Sequence, residues 1–392
     1  MPAIAERMAR LGSEGAFEVL ARARALEAQG RRIVHLEIGE PDFETAPNIK
    51  AAAKRALDEG YTHYGPSAGL LPAREAVARY VARTRGMDVS AEQVVLTPGA
   101  KPILFFTLLA VVDPGDEVLL PDPGFPIYES VVDYLGATPV PLPLVMDREF
   151  RFDPAELRRR VTDRTKLIIL NSPQNPTGGV LTKADLEAVA DIARERDLWV
   201  LSDEIYSRLL YEEEHHSIAA LPGMAERTVV LDGFSKTYAM TGWRLGYGVA
   251  PEVLVPHITR LQTNATSCTA SFVQMAGIEA LEGPQESVDT MLAEFRRRRE
   301  VVVDGLNEID GVTCLSPGGA FYAFPRVEVP GMNSKEVADS LLAEDGAALL
   351  AGTAFGAHGE GFLRLSFATS LDELREGLRR IGRGVRRLRQ RA

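Results

Sequence analysis

The middle of the chain alternates short apolar runs with helical stretches, and this alternation limits the folds that are open to it. The apolar runs lie at residues 94–96, 117–120, 166–170, 199–201, 229–231 and 245–249. Strands that alternate with helices usually pair in parallel, because each helix carries the chain back across the sheet. The pattern therefore predicts an α/β fold with a mostly parallel central sheet and helices on both faces.

Three of these runs end in polar clusters. The first leads to Asn175, the second to Asp203 and Tyr206, and the third to Ser235 and Lys236. In an open α/β sheet, ligands bind outside the carboxyl ends of the strands. If the three strands are neighbours, these side chains share one crevice despite their separation in sequence.

The segment from Gly233 to Arg244 combines an amine, a hydroxyl and a guanidinium. Lys236 can form a Schiff base with an aldehyde, while Ser235 and Arg244 suit phosphate oxygens. Pyridoxal phosphate carries both an aldehyde and a phosphate. Taken alone, the segment is also explained by a solvated loop lysine, since most lysines after a strand are of that kind, so the interpretation depends on the other strand ends.

Composition narrows the class of protein. The 392 residues carry 44 basic and 55 acidic side chains, a net charge of −11, which argues against non-specific nucleic-acid binding. Cys268 and Cys314 are the only cysteines and lack metal-binding or redox spacing. No apolar stretch is long enough for a signal sequence or a membrane span. We therefore expect a cytoplasmic protein without a structural metal or a membrane partner.

Two charged segments are open to other interpretations. Arg296 to Arg299 lie in a helical pattern and are interpreted as a solvated face, as is the basic carboxyl-terminal segment 383–391. The acidic and histidine-containing segment 212–216 lacks the histidine spacing of a zinc helix and is interpreted as a solvated turn.

Short motifs spread over nearly the whole length carry a resemblance to a known family. They are LEIGEPDF at 36–43, YGPSAG at 64–69, TPGAK at 97–101, DPGD at 113–116, NPTG at 175–178, SDEIY at 202–206, SK at 235–236, GWRLGY at 242–247, GAFY at 319–322 and FLRLSFA at 362–368. In this order and spacing, the chain resembles the class I/II aminotransferases of fold type I, in the aspartate aminotransferase-like branch. The resemblance implies pyridoxal 5′-phosphate as cofactor and a homodimer with shared active sites.

The resemblance also implies a division into two domains. Residues 46–285 would form a large cofactor-binding domain, and residues 1–45 and 286–392 a smaller α+β domain. This agrees with the length, which exceeds that of most single cores. It also agrees with a change in the sequence pattern near residue 285, where a long charged helix leads into short apolar segments.

For the cofactor ring, the resemblance assigns the catalytic roles to Lys236, Asp203 and Tyr206. Lys236 would bind the cofactor and move the proton of the substrate, and Asp203 would keep the ring nitrogen protonated. Asn175 and Tyr206 would hydrogen-bond the phenolic oxygen. Phe125 would stack on the ring, where many relatives carry a tryptophan or a tyrosine.

For the phosphate, the resemblance points to the start of a helix. Backbone N–H groups at a helix amino terminus bind anions. The expected phosphate-binding residues are Gly99, Ala100, Lys101, Ser235 and Arg244, with Tyr64 contributed by the partner subunit.

For the substrate, Arg364 is expected to bind the α-carboxylate, with Gly39, Asn175 and Phe125 beside it. Lys101 matches a lysine that pairs with the distal carboxylate in some aspartate-preferring relatives and only accompanies the phosphate loop in others. An acidic donor with 2-oxoglutarate as acceptor is therefore favoured, while neutral, aromatic and specialised donors stay open.

Other functions use the same scaffold. A carbon–sulfur lyase or a specialised synthase would keep Lys236 and Asp203, and a requirement for a 2-oxo acid acceptor separates them from a transaminase. A regulatory binding protein is disfavoured, because about 35 residues before the first motif leave no room for a winged helix. No nucleophile elbow or Walker phosphate loop occurs.

Overall fold

The computed structural model describes residues 3–391. Its α-helices are α1 (Gly15–Glu27), α2 (Pro47–Asp58), α3 (Leu71–Arg85), α4 (Lys101–Val111), α5 (Ile127–Leu135), α6 (Pro154–Arg160), α7 (Lys183–Glu195), α8 (Val255–Thr266), α9 (Ser271–Glu282), α10 (Glu286–Asn307), α11 (Ser334–Ser340) and α12 (Leu371–Arg391). Its strands are β1 (Val34–His35), β2 (Val94–Thr97), β3 (Glu117–Asp122), β4 (Thr138–Pro143), β5 (Thr165–Asn171), β6 (Trp199–Asp203), β7 (Thr228–Gly233), β8 (Gly246–Val249), β9 (Val312–Thr313), β10 (Tyr322–Ala323), β11 (Arg326–Val327), β12 (Ala347–Ala348), β13 (Leu350–Ala351) and β14 (Leu363–Ser366).

Seven strands form the central sheet, in the order β2-β8-β7-β6-β5-β3-β4. Strands β4, β3, β5, β6 and β7 are parallel, whereas β8 is antiparallel to both β7 and β2. The mostly parallel α/β sheet that the sequence predicts is confirmed. Strands β5, β6 and β7 are direct neighbours, so the polar residues that follow them lie at one edge of the sheet.

Both faces of the sheet are covered, which explains why its strands are almost continuously apolar. Strand β5 demonstrates this, because successive residues of a strand point to opposite faces. Ile168 and Leu170 pack in a core that includes Val189 of α7. Leu167 and Ile169 pack in a different core with residues of α4 and α5.

Strand β4 is absent from the sequence-based prediction. Its segment, TPVPLP, contains Pro139, Pro141 and Pro143, which cannot donate backbone hydrogen bonds. The strand occupies the outer edge of the sheet beside β3, and an edge is where a strand accommodates proline. Prolines also lie in the first turn of α2, α3 and α4, a favoured position at a helix start.

The segment before α2 packs with the carboxyl-terminal part of the chain. Val34 and Leu36 share a core with Phe295 of α10 and Phe367, which follows β14. Strand β1 pairs in parallel with β12, and β14 lies between β10 and β13 in a small antiparallel sheet. The division at residues 46 and 285 stays a prediction.

The interpretation of residues 296–299 as a solvated face is wrong for two of the four arginines, which lie in α10. Arg298 and Arg299 are buried. Arg298 forms a salt bridge with Asp42 at 2.6 Å, and Arg299 donates to both carboxylate oxygens of Glu212. The Arg298 guanidinium also lies 5.0 Å from the ring centroid of Phe43, and the Arg299 guanidinium lies 4.4 Å from that of Tyr211. Ion pairing and aromatic contacts compensate the buried charge.

Residues 3–391 contain neither a candidate metal site nor a helix that could span a membrane. In that part of the chain, no group of histidine, cysteine, aspartate and glutamate side chains is arranged to hold a metal ion. No helix in the same range has the length and apolarity needed to cross a membrane. The homodimer and the cytoplasmic location stay predictions.

Candidate active site

A cavity of about 390 Å³ lies at the carboxyl ends of β5, β6 and β7. It is lined by most of the residues that the sequence singles out: Gly39, Ala100, Lys101, Phe125, Asn175, Asp203, Tyr206, Ser235, Lys236, Arg244 and Arg364. Gly99 adjoins this lining through Arg244. Tyr64 does not reach the cavity of its own chain, and its side chain is 90% exposed.

The sheet register brings these side chains together. Asn171, at the end of β5, pairs with Asp203, at the end of β6. The side-chain oxygen of Asn171 accepts the N–H of Asn175 at 2.9 Å, which fixes the turn after β5. Lys236 follows β7, and its Nζ donates to the carbonyl of Gly39 at 2.6 Å. The amino-terminal segment thereby closes one side of the cavity.

Asp203 is a buried carboxylate at the floor of the cavity. Its Oδ2 accepts the Tyr128 hydroxyl at 2.7 Å, and its Oδ1 accepts the N–H of Ile205 at 3.2 Å. Burial raises the pKa of Asp203 to about 6, although both hydrogen bonds oppose this change. A cation beside this carboxylate would stabilise its ionised form.

The surroundings of Lys236 make its amine easier to deprotonate than that of an ordinary lysine. Burial lowers the pKa of Lys236 to about 8, and the positive charges of Arg364 and Lys101 act in the same direction, against Glu40. A lysine reacts with an aldehyde only as the free amine, so a lowered pKa increases the reactive fraction near neutral pH.

Arg364, on β14, enters the cavity from the smaller sheet. Its guanidinium donates to Asn175 Oδ1 at 3.2 Å and to the carbonyl of Glu37, while its buried Nε has no hydrogen-bond partner among the described residues. It lies 4.6 Å from the ring centroid of Tyr322 and 5.0 Å from that of Phe355. Burial lowers its pKa.

Asp203 and Arg364 are exceptions among the buried charges of residues 3–391. The buried acids are Glu37, Glu117, Asp122, Asp185, Asp203, Glu204 and Asp232, and the buried arginines are Arg85, Arg298, Arg299, Arg364 and Arg380. In this described range, each except Asp203 and Arg364 contacts a histidine or an oppositely charged side chain. Buried charges normally need such partners. Among its buried groups, the cavity therefore offers one acid that lacks a cation and one guanidinium that lacks an anion.

The other end of the cavity suits an anion. Helix α4 begins at Lys101, so the N–H groups of the preceding turn point outward from a helix amino terminus. Gly99 has a φ of 86°, and a Cβ there would collide with the guanidinium of Arg244. Arg244 donates to the carbonyl of Thr241 at 2.8 Å. Together with Ser235, these groups form a cradle of donors.

Sequence reasoning assigned no role to several residues of the cavity. Tyr128 donates to Asp203, and the hydroxyls of Tyr322 and Tyr206 lie 2.8 Å apart. Tyr322 ends the GAFY motif at 319–322, so its motif membership was a usable signal. Glu14 and Phe17 also line the cavity. They come from the amino-terminal segment, where no motif marks them.

A family model described as "Aminotransferase class I and II" matches residues 31–381. The chain belongs to this family. Aspartate aminotransferase of Pyrococcus horikoshii is 40% identical over 97% of either chain. Aromatic-amino-acid aminotransferase 2 of Thermococcus litoralis is 44% identical over 90% of this chain and 92% of its own. A solved structure of Thermus thermophilus aspartate aminotransferase with maleate has a TM-score of 0.94 and 37% identity, and covers 98% of this chain and 100% of that one.

This aminotransferase has the type I fold of its family and uses pyridoxal 5′-phosphate, as the sequence resemblance implies. The residues of the cavity fit that cofactor. Asp203 suits a protonated ring nitrogen, Lys236 suits an aldehyde, and the donors around Gly99 suit a phosphate. The names of the relatives cover both aspartate and aromatic amino acids, so they support transamination without fixing the donor.

Proposed function

We propose that this aminotransferase moves the amino group of an L-amino acid to a 2-oxo acid such as 2-oxoglutarate, with aspartate or another acidic amino acid among its donors. The observation that carries the proposal is the pair of uncompensated charges in one cavity. Asp203 matches a cationic ring and Arg364 matches a carboxylate, which are the two charges that a bound cofactor and an amino-acid substrate bring together.

Around the ring, each residue has a distinct task. Pyridoxal phosphate supplies an aldehyde that condenses with the substrate amine and a ring that withdraws electrons from the α-carbon. Asp203 holds the proton on the ring nitrogen. Asn175 and Tyr206 would donate to the phenolic oxygen, and Phe125 would pack on the ring face. Lys236 would move the proton from the substrate α-carbon to the cofactor carbon that carried the aldehyde, and its lowered pKa suits it to this exchange.

The α-carboxylate is bound at the small-sheet side. Arg364 presents a planar fork whose Nε is already desolvated, so a carboxylate gains two charge-assisted hydrogen bonds there. Gly39 allows the substrate to approach the backbone, and a Cβ at this position would collide with the Tyr322 hydroxyl. Asn175 orients Arg364 through their 3.2 Å hydrogen bond.

The phosphate is bound by the backbone N–H groups of Gly99, Ala100 and Lys101 and by the side chains of Ser235 and Arg244. We expect Tyr64 of the partner subunit to complete this group in a homodimer, since an exposed tyrosine next to a motif loop is free to reach a second chain. The large and small domains, divided near residues 46 and 285, would then enclose the cofactor between them.

A spectroscopic half-reaction tests the function. Purified protein is loaded with pyridoxal phosphate and mixed with single amino acids in the absence of any 2-oxo acid. Transamination predicts that the visible band of the cofactor bleaches and returns when 2-oxoglutarate is added. A keto product that accumulates while the band persists would instead indicate a lyase.

A further inference from the structure

The cavity contains an ion pair whose two side chains have no role in the proposed chemistry. Nζ of Lys101 contacts Oε1 of Glu14, although the two residues are 87 positions apart in sequence. Lys101 Nζ also lies 5.3 Å from the ring centroid of Phe125. The pair therefore sits beside the ring that is proposed to stack on the cofactor, in the cavity that would also receive the substrate side chain.

The fold holds Glu14 in this place. The segment before α1 is docked on α5, where the N–H of Gly12 donates to Ser130 Oγ at 2.8 Å and Nε of Arg10 donates to the carbonyl of Asp133 at 2.8 Å. Glu14 directly precedes α1, yet its carboxylate does not cap that helix. Its contact in the described structure is Lys101, so the carboxylate is directed at the pocket.

The pair changes what the pocket can accept. Lys101 alone would offer an uncompensated positive charge to a distal carboxylate. With Glu14 in contact, the charge of Lys101 is balanced, and Phe17, Ile38 and Phe125 add apolar surface to the same cavity. Phe17 is 62% exposed, so it can cover a substrate side chain without leaving a packed core. A balanced pair beside apolar surface suits an uncharged side chain.

A transaminase receives two different side chains in one pocket, one with the donor and one with the acceptor. We infer that Glu14 is a specificity-determining residue that controls whether Lys101 is available. An apolar or aromatic side chain enters while the pair is closed, and a dicarboxylate enters by displacing Glu14 from Lys101. This inference rests on the proposed transamination and adds an apolar substrate class to the acidic one.

The test compares substrates within each variant, so that changes in overall activity cancel. In Glu14→Gln, Lys101 is freed, and the ratio of kcat/KM for aspartate to that for phenylalanine should rise about fivefold, as expected for a partly exposed pair. Lys101→Gln should move the ratio in the opposite direction. Glu18→Gln is the matched control, because this carboxylate lies in the first turn of α1, close to Glu14 in sequence, but accepts the Ser13 hydroxyl at 2.8 Å.

A binding measurement gives a second readout. The ratio of the inhibition constants of maleate and 3-phenylpropionate should move about fivefold towards maleate in Glu14→Gln and stay constant in Glu18→Gln. If amino acids bleach the cofactor band but neither ratio moves, the inference is wrong and the proposed function stands. If no amino acid bleaches the band, the proposed function itself fails.

Discussion

Replacing Asp203 by asparagine is expected to stabilise the cofactor-free protein and to weaken its binding of the cofactor. Burial raises the pKa of Asp203 to about 6, compared with an ordinary value of 3.8. This difference corresponds to about 3 kcal/mol by which the ionised carboxylate destabilises the folded state. Asparagine can still accept the N–H of Ile205, and the Tyr128 hydroxyl can accept its amide. We therefore expect a gain of about 2 kcal/mol in the free energy of unfolding.

The effect must depend on pH in a definite direction, because the folded pKa of Asp203 lies above the unfolded one. Below about pH 4 the carboxyl group is protonated in both states, so its charge does not affect stability. Between about pH 4 and pH 6 the unfolded chain ionises first, and the wild-type protein loses stability relative to the variant. The full difference is present above about pH 6.

Urea unfolding of the cofactor-free proteins at about pH 4 and about pH 7.5 measures this difference. Asp113→Asn, in the exposed turn before β3, is the control for removing a carboxylate. Added pyridoxal phosphate should reverse the order, because asparagine has no charge to pair with the protonated ring. A variant that is less stable than wild type at the higher pH, or a difference that is equal at both pH values, would refute the reasoning.

Three further outcomes are expected. Lys236→Ala should abolish transamination and leave the far-ultraviolet circular dichroism spectrum unchanged, and sustained turnover would contradict its assigned role. Arg364→Leu should lower kcat/KM about 100-fold for every amino acid alike, as steady-state kinetics with several donors will show. A loss confined to one donor would instead place Arg364 at the side chain. Mixing Tyr64→Ala with Lys236→Ala should recover activity that neither variant has alone, because a mixed dimer contains one intact site. No recovery in a mixture that forms mixed dimers would argue against shared sites.

The sheet was predictable because its strands are buried on both faces and so appear as continuous apolar runs. Strand β4 was not predictable, because the three prolines of TPVPLP are unfavourable in a strand. They are accommodated because β4 lies at the edge of the sheet. The buried arginines of α10 were misjudged for a related reason. Helical spacing shows which residues share a face, but Asp42 and Glu212, which compensate Arg298 and Arg299, come from distant segments.

In the active site, too, some features could be predicted from the sequence and others could not. Residues that follow strands, such as Asp203 and Lys236, could be grouped from the sequence because parallel strands place their carboxyl ends together. The hydrogen-bond and ion-pair partners of the site residues could not be predicted in this way. Tyr128 lies 75 residues from Asp203 and Glu14 lies 87 residues from Lys101, and neither pairing follows from a local pattern. Only the packed fold shows these contacts.

Asp203 and its neighbour Glu204 are both buried carboxylates, but their pKa values are shifted in opposite directions. Burial opposes the ionisation of both, but His215 and Arg85 act on Glu204 and lower its pKa to about 2. Asp203 receives no such cation from the described residues and keeps a pKa of about 6. Adjacent positions of one chain segment thus differ in whether the protein supplies the positive charge. A carboxylate retained at a site that destabilises the folded chain is expected where a bound cation completes it, and the protonated ring of pyridoxal phosphate is such a cation.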